Sequence, residues 1–216
     1  METIKTDAVI LDVDGTLWDS TPIVARAWQR AIRENGFPDY TVTADLMKGL
    51  FGKTMQAIAE QMFPEVSGEQ QSKLMDCCCA CEHEELEKDD CEICYPGVVS
   101  GIKALSGRLP VCIVSNCESG YIELFLKKTG LESYVTDIEC FGNTQKSKGE
   151  NISLVVKRNH FTAPVYVGDT QGDCDAAKAA GVPFIFASYG FGTAAESAAV
   201  IACFDELLEL AGGDCR

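Results

Sequence analysis

Short apolar runs that each end at a polar residue or a glycine recur along this chain, and that grammar narrows the choice of folds more than any other feature. The runs are Ala8-Val-Ile-Leu-Asp12, Val111-Cys-Ile-Val-Ser115, Asp137-Ile-Glu-Cys-Phe141, Val165-Tyr-Val-Gly168 and Pro183-Phe-Ile-Phe-Ala187. Continuous apolar character over so few residues is the mark of a strand buried on both faces, as in a parallel sheet. Between them lie helical patterns near 119–129, 149–159 and 173–180. Gly130 and Gly181 follow the first and last of these in the position of C-cap glycines. Strands alternating with helices imply right-handed crossovers and a sheet covered on both sides. The predicted fold is therefore α/β, with a doubly wound parallel sheet.

The alternation breaks between about residues 20 and 90. Amphipathic helical segments are predicted near 22–35, 43–50, 54–62 and 68–88, with no strand among them. Pro22 fits the first turn of its helix, where a missing N–H costs nothing. Tyr95-Pro-Gly97 then makes a turn into a further helix near 98–106. The expected organisation is a core domain from 1–18 and 95–216, interrupted by an inserted all-helical domain at 19–94.

The charge balance narrows the partners. Asp and Glu total 33 against 18 Lys and Arg, a formal net charge of −15. That field repels nucleic acid and anionic membranes, and a phosphate site in such a chain needs a local positive source such as a metal ion. No apolar run approaches the roughly 20 residues that cross a bilayer. The opening METIKTDAVI does not read as an export signal, so the expected location is the cytoplasm. Twelve cysteines then read as reduced thiols, with Cys112, Cys140 and Cys174 acting as small apolar residues. A zinc site is the sharper alternative for Cys77–Cys94, where Cys78–Cys81 and Cys91–Cys94 are C-x-x-C pairs with His83 nearby, but the thiols serve equally as helix filler. Oligomeric state leaves no trace in the sequence.

In an open parallel sheet, ligands bind beyond the carboxyl ends of the strands. The polar residues there are Asp12 and Asp14, Ser115 and Asn116, and Asp169 and Asp173, with Lys148 opening the helix after the third strand. Carboxylates from two strand ends make the hard oxygen site that Mg²⁺ prefers. Asp12 and Asp14 offer one carboxylate to attack phosphorus and another to exchange a proton with the leaving oxygen and then with water. Ser115 and the Asn116 backbone N–H suit a phosphoryl oxygen, and Lys148 suits the charge that gathers on it.

Four motifs stand in register with these strands: Asp12-Val-Asp-Gly-Thr-Leu-Trp-Asp-Ser20, Val114-Ser115-Asn116, Lys148, and Gly168-Asp169-Thr-Gln-Gly-Asp173. By them the chain resembles the haloacid dehalogenase-like phosphohydrolases over nearly its whole length. The resemblance implies that Asp12 is the nucleophile and Asp14 the general acid/base. It also implies that Mg²⁺ is bound by Asp12, Asp169 and the backbone carbonyl of Asp14, with Asp173 a ligand through water or an orienter of the metal's surroundings. The phosphate would be held by Ser115, Asn116 and Lys148, with Lys146 as the fallback lysine. The helical insertion resembles the family's C1 cap. Within the family, Gly-Asp-x-x-x-Asp is more similar to phosphoglycolate-phosphatase-type enzymes than to β-phosphoglucomutases, and Asp14 sets the chain apart from the phosphonatase branch.

The expected activity is hydrolysis of a small phosphorylated metabolite through an aspartyl phosphate. Alternatives are a sugar-phosphate mutase using the same residues, a non-catalytic binding protein of the same fold, and a phosphorylated receiver domain, which would have no use for the insertion. Trp18, Lys48 and Lys53 are further candidates for touching substrate, with hinge packing the alternative for Trp18 and a solvated loop the alternative for the two lysines, and His83 and His160 are expected to be surface residues.

Overall fold

A computed structural model describes residues 3–37, 39–90 and 92–212. The chain divides into two compact units, Met1–Asp19 with Cys94–Arg216, and Ser20–Ile93. In chain order the elements are β1 (Ile4–Lys5), β2 (Ala8–Leu11), α1 (Thr21–Glu34), α2 (Ala44–Leu50), α3 (Met55–Met62), α4 (Gly68–Lys88) and α5 (Val98–Ser106). Then follow β3 (Val111–Ser115), α6 (Tyr121–Thr129), β4 (Asp137–Cys140), α7 (Phe141–Thr144), α8 (Lys148–Arg158), β5 (Pro164–Gly168) and α9 (Gln171–Ala180). The chain closes with β6 (Phe184–Ala187), β7 (Ala199–Ile201), α10 (Asp205–Leu210) and β8 (Ala211–Gly212).

The larger unit is a doubly wound α/β core. Its six strands run in the order β4-β3-β2-β5-β6-β7, and every pairing is parallel. Strand β2 is central, with Val9 opposite Val111 on one side and Val165 on the other. All four of its residues are buried, which explains the uninterrupted apolar run. The chain winds outward through β3 and β4, then returns across β2 to β5. That reversal opens a crevice at the carboxyl ends of β2 and β5. One face of the sheet packs Ile10, Val114, Tyr166 and Phe184 against Ile152 and Val155 of α8 and Cys174 and Ala177 of α9. Cys112, Cys140 and Cys174 are buried as small apolar residues.

Local signals set the ends of the helices. Gly130 and Gly181 close α6 and α9 in the left-handed region, at φ +63° and +70°. Ser147 and Glu150 form a capping box at the start of α8, and Thr170 and Asp173 form another at α9. The second box starts α9 two residues earlier than the expected 173. Strand β7, helix α10 and the short parallel pair β1–β8 go beyond the sequence reading. These pieces are two to six residues long, too short to show a period.

The smaller unit, described alone, consists of α1 to α4. Helices α1 and α4 are its main packed pair. Trp28, Cys78 and Leu86 are fully buried, and Trp28 Nε1 donates to the buried Glu82 Oε2 at 2.6 Å. Thr43 and Thr54 cap α2 and α3 by accepting from Leu46 N and Ala57 N. Each such cap is worth about 1 kcal/mol. His83 is exposed, as is His160 in the core. Cys91 lies outside the described residues. Among the described residues no group of thiols and imidazoles gathers to hold a metal, and no helix is long and apolar enough to cross a membrane.

Candidate active site

The site lies where the sheet topology reverses. Asp12 follows β2 directly, and its backbone N–H donates to Val167 O of β5 at 2.9 Å. Asp169 follows β5, and Asp173 lies one turn into α9. All three carboxylates are buried, and each offers an oxygen within 4.8 Å of the others. Lys148 is the first residue of α8 and only 4% exposed. Its Nζ donates to Asp12 Oδ1 at 2.9 Å and to Asp173 Oδ1 at 2.7 Å. Lys146 is exposed, and it is Lys148 that meets the carboxylates.

Asp173 is the most heavily engaged of the three carboxylates. Its Oδ2 accepts from Asp169 N, Thr170 N and Thr170 Oγ1, and its Oδ1 accepts from Lys148 Nζ and Tyr166 Oη. Burial alone would raise its pKa, but Lys148 and the Thr170 bonds outweigh burial and hold it below the ordinary value. With both oxygens already accepting, it has the least capacity left for a cation. Asp169 differs. Its Oδ2 accepts from Phe191 N at 2.6 Å, while its Oδ1 is buried and accepts no hydrogen bond. Burial, followed by the charges of Asp173 and Asp12, pushes Asp169 up to about 8. Burial likewise pushes Asp12 up to about 7, against the pull of Lys148. An orphaned buried carboxylate oxygen costs roughly 1–3 kcal/mol or more. A set made only of oxygen donors, one of them unsatisfied, fits a hard divalent cation such as Mg²⁺.

Two glycines let the backbone close around this group. Gly15 has φ +82°, and a Cβ there would stand 2.1 Å from Asp169 Oδ2. At Gly190 a Cβ would meet Asp169 Cβ and Gly15 O, each at 2.3 Å. The segment Tyr189–Gly192 therefore forms the wall behind Asp169, with Tyr189 Oη donating to Thr16 O at 2.9 Å. Sequence reasoning missed this wall. Its signal was the glycine pair Gly190 and Gly192 just past a strand end.

Ser115 is buried at the end of β3, one strand over from Asp12, and Asn116 follows it half-buried. Asp14 is half-buried, and its Oδ1 accepts from Trp18 Nε1 at 3.0 Å and Tyr121 Oη at 2.7 Å. Trp18 has no exposed surface: its indole packs inside the core unit, edge to face on Phe125, and binds Asp14, as the packing alternative for this residue expects. Tyr121 and Tyr166 had no sequence signal, because each reaches the site from a helix start or strand interior far away in the chain. In the smaller unit Lys48 is half-buried, and the exposed Lys53 donates to Gln61 Oε1 at 2.6 Å.

A profile of the haloacid dehalogenase-like hydrolases matches residues 9–187. The chain belongs to this family. Among curated proteins, a phosphoglycolate phosphatase of Synechococcus elongatus is 29% identical over 210 residues, covering 94% of this chain and 92% of its own. An N-acetylmuramic acid 6-phosphate phosphatase of Pseudomonas putida is 25% identical over 196 residues, covering 85% and 83%. The fold is shared with a haloacid dehalogenase-like hydrolase of Bacteroides fragilis at TM-score 0.82, with 21% identity and coverage of 94% of this chain and 100% of that one.

Proposed function

We propose that this hydrolase is a Mg²⁺-dependent phosphomonoesterase that works through an aspartyl phosphate on Asp12 and acts on a small phosphorylated metabolite. The observation that carries the reading is the pairing of a buried lysine, bound to Asp12 and Asp173, with the orphaned oxygen of Asp169 beside them. The names of the relatives reported above, a phosphoglycolate phosphatase and an N-acetylmuramic acid 6-phosphate phosphatase, support the same class.

Asp12, Asp169 and the backbone carbonyl of Asp14 would hold the ion, with Asp173 orienting its surroundings through Lys148. When bound, Mg²⁺ supplies the positive charge that draws phosphate into an otherwise anionic crevice. Lys148 fixes the Asp12 carboxylate through Oδ1, which prepares it to attack phosphorus. As the new O–P bond forms, the bond to the leaving oxygen breaks and Asp14 gives that oxygen a proton. Asp14, now a carboxylate, takes a proton from water as the water attacks the same phosphorus. The Asp12–phosphorus bond then breaks, inorganic phosphate departs, and Asp14 ends protonated as it began. Ser115 and the Asn116 backbone N–H hold phosphoryl oxygens, and Lys148 balances their growing charge. The helical unit serves as a cap that selects the leaving group, with Lys48 and Lys53 as its candidate contacts for a substrate anion.

Phosphate release from a panel of phosphorylated acids, sugars and nucleotides, with and without Mg²⁺, tests the reading. Turnover should require the metal and fall on the order of 10⁴-fold or more in Asp12→Asn. Isomerisation of a sugar phosphate without release would overturn hydrolysis in favour of a mutase, and silence across the panel from folded protein would favour a binding role.

A further inference from the structure

Asp14 lies in an aromatic cradle built from distant parts of the core unit. Trp18 comes from the loop after β2, and Tyr121 from the first turn of α6, 107 residues away from Asp14. Both donate to one oxygen, Asp14 Oδ1, at 3.0 and 2.7 Å. Their rings meet edge to face with centroids 5.5 Å apart, and Trp18 meets Phe125, one turn along α6, at 5.1 Å. Trp18 is wholly buried and Tyr121 6% exposed, so neither donor can swing away without opening the packing. The Trp18 backbone is held too. Its N–H donates to Val13 O at 3.3 Å, and its carbonyl accepts from Gly15 N at 3.0 Å. The Cys94 pairing to Trp18 adds a third restraint on that backbone.

A half-buried aspartate with no such partners would rotate freely about its side-chain bonds. A proton donor must stand within hydrogen-bond reach of the leaving oxygen and in line with it, and misplacement by about 1 Å can cost on the order of 10²-fold. Two rigid donors on one carboxylate oxygen remove that freedom before substrate arrives. We infer that Tyr121 and Trp18 are positioning residues that hold the Asp14 carboxyl group aimed at the leaving oxygen; this rests on the phosphatase reading above. Neither ring is assigned a contact with substrate.

The consequence depends on the leaving group. An alkyl phosphate expels an alkoxide that needs a proton as the bond breaks, whereas a nitrophenyl phosphate expels a stable phenolate that does not. The test is kcat/KM of Tyr121→Phe and Trp18→Phe with Mg²⁺, on the best alkyl ester of the panel and on p-nitrophenyl phosphate. Tyr121→Phe keeps the ring and removes only the donor, and Trp18→Phe removes the second donor independently. Each should lose about tenfold or more on the alkyl ester, a fraction of the full general-acid effect, and under about threefold on the nitrophenyl ester. Circular dichroism should match the unsubstituted protein. Equal losses on both esters would mean a general structural defect and would overturn the positioning assignment while leaving the phosphatase standing. Failure of the unsubstituted protein to release phosphate from any ester would overturn the phosphatase reading and this assignment with it.

Discussion

In the helical unit the buried carboxylate of Glu82 accepts from a neutral donor, the Trp28 indole, at 2.6 Å, and the pair joins α1 to α4. In the core unit Asp12, Asp169 and Asp173 crowd within 4.8 Å of one another, with one ammonium bonded to two of them. The first arrangement is a lone carboxylate with a donor on it. The second leaves negative charge uncompensated, and burial pushes two of its members far above the ordinary carboxylate range. A fold tolerates such a cluster only where something else repays the desolvation, which is why the difference separates a packing contact from a working site.

Removing the ammonium is the strongest way to break this comparison. Lys148→Met should cost roughly 3–5 kcal/mol at pH 8, because it strands like charges in a dry crevice. Urea unfolding should show the cost shrinking in acid, where the carboxylates take up protons. A cost that is the same at pH 5 and pH 8 would mean that lost packing, not charge, dominates.

The acidity constants give the next prediction. Asp169 rises from the ordinary value of 3.8 to about 8, and Asp12 rises too, so the folded protein binds protons more tightly than the unfolded chain. Their stabilising contribution is full below about pH 4 and is lost as pH rises through 8. Thermal melts of metal-stripped protein should therefore fall in temperature from pH 5 to pH 8. Mg²⁺ should remove that slope, release protons on binding, and bind more tightly as pH rises. A flat profile without metal would show the cluster to be compensated already.

The smallest effects belong to the helical unit. Glu82→Ala strands the buried Trp28 N–H and should cost about 1–3 kcal/mol by urea titration. The exposed partner of the Arg26–Asp89 ion pair supplies the scale: Arg26 is 59% exposed, and Arg26→Ala should cost under about 0.5 kcal/mol. If the two variants proved equal, Glu82 would be no more than another solvated acid.

Legibility in the sequence follows the range of the interaction. The strands β2 and β3 and the helices α1 to α5 lie within a residue or two of where their period and caps place them, because those signals are local. That Asp12 and Asp169 come together was readable because strand ends at a topological reversal meet, and Lys148 reaches them from the start of α8. Tyr121 on Asp14, Tyr166 on Asp173 and the Phe191 N–H on Asp169 were not, since each joins segments whose proximity only the finished sheet creates. Nor was the edge-to-face packing of Trp18 on Phe125, more than a hundred residues on.

The placement of β2 has a consequence in time. Strand β2 ends at Leu11, and its two neighbours begin only at Val111 and Pro164. At ribosomal speeds of about 5–20 residues per second, β2 waits on the order of 8–30 s for partners on both sides. During that delay the whole of Ser20–Ile93 emerges, so α1 can meet α4 before β2 has both of its partners. Of the six strands in the sheet, the one that leads into Asp12 is thus the first made, and it is shielded on both sides only once β5 appears. An apolar edge exposed for that long is where a chaperone, or a second nascent chain, would first take hold.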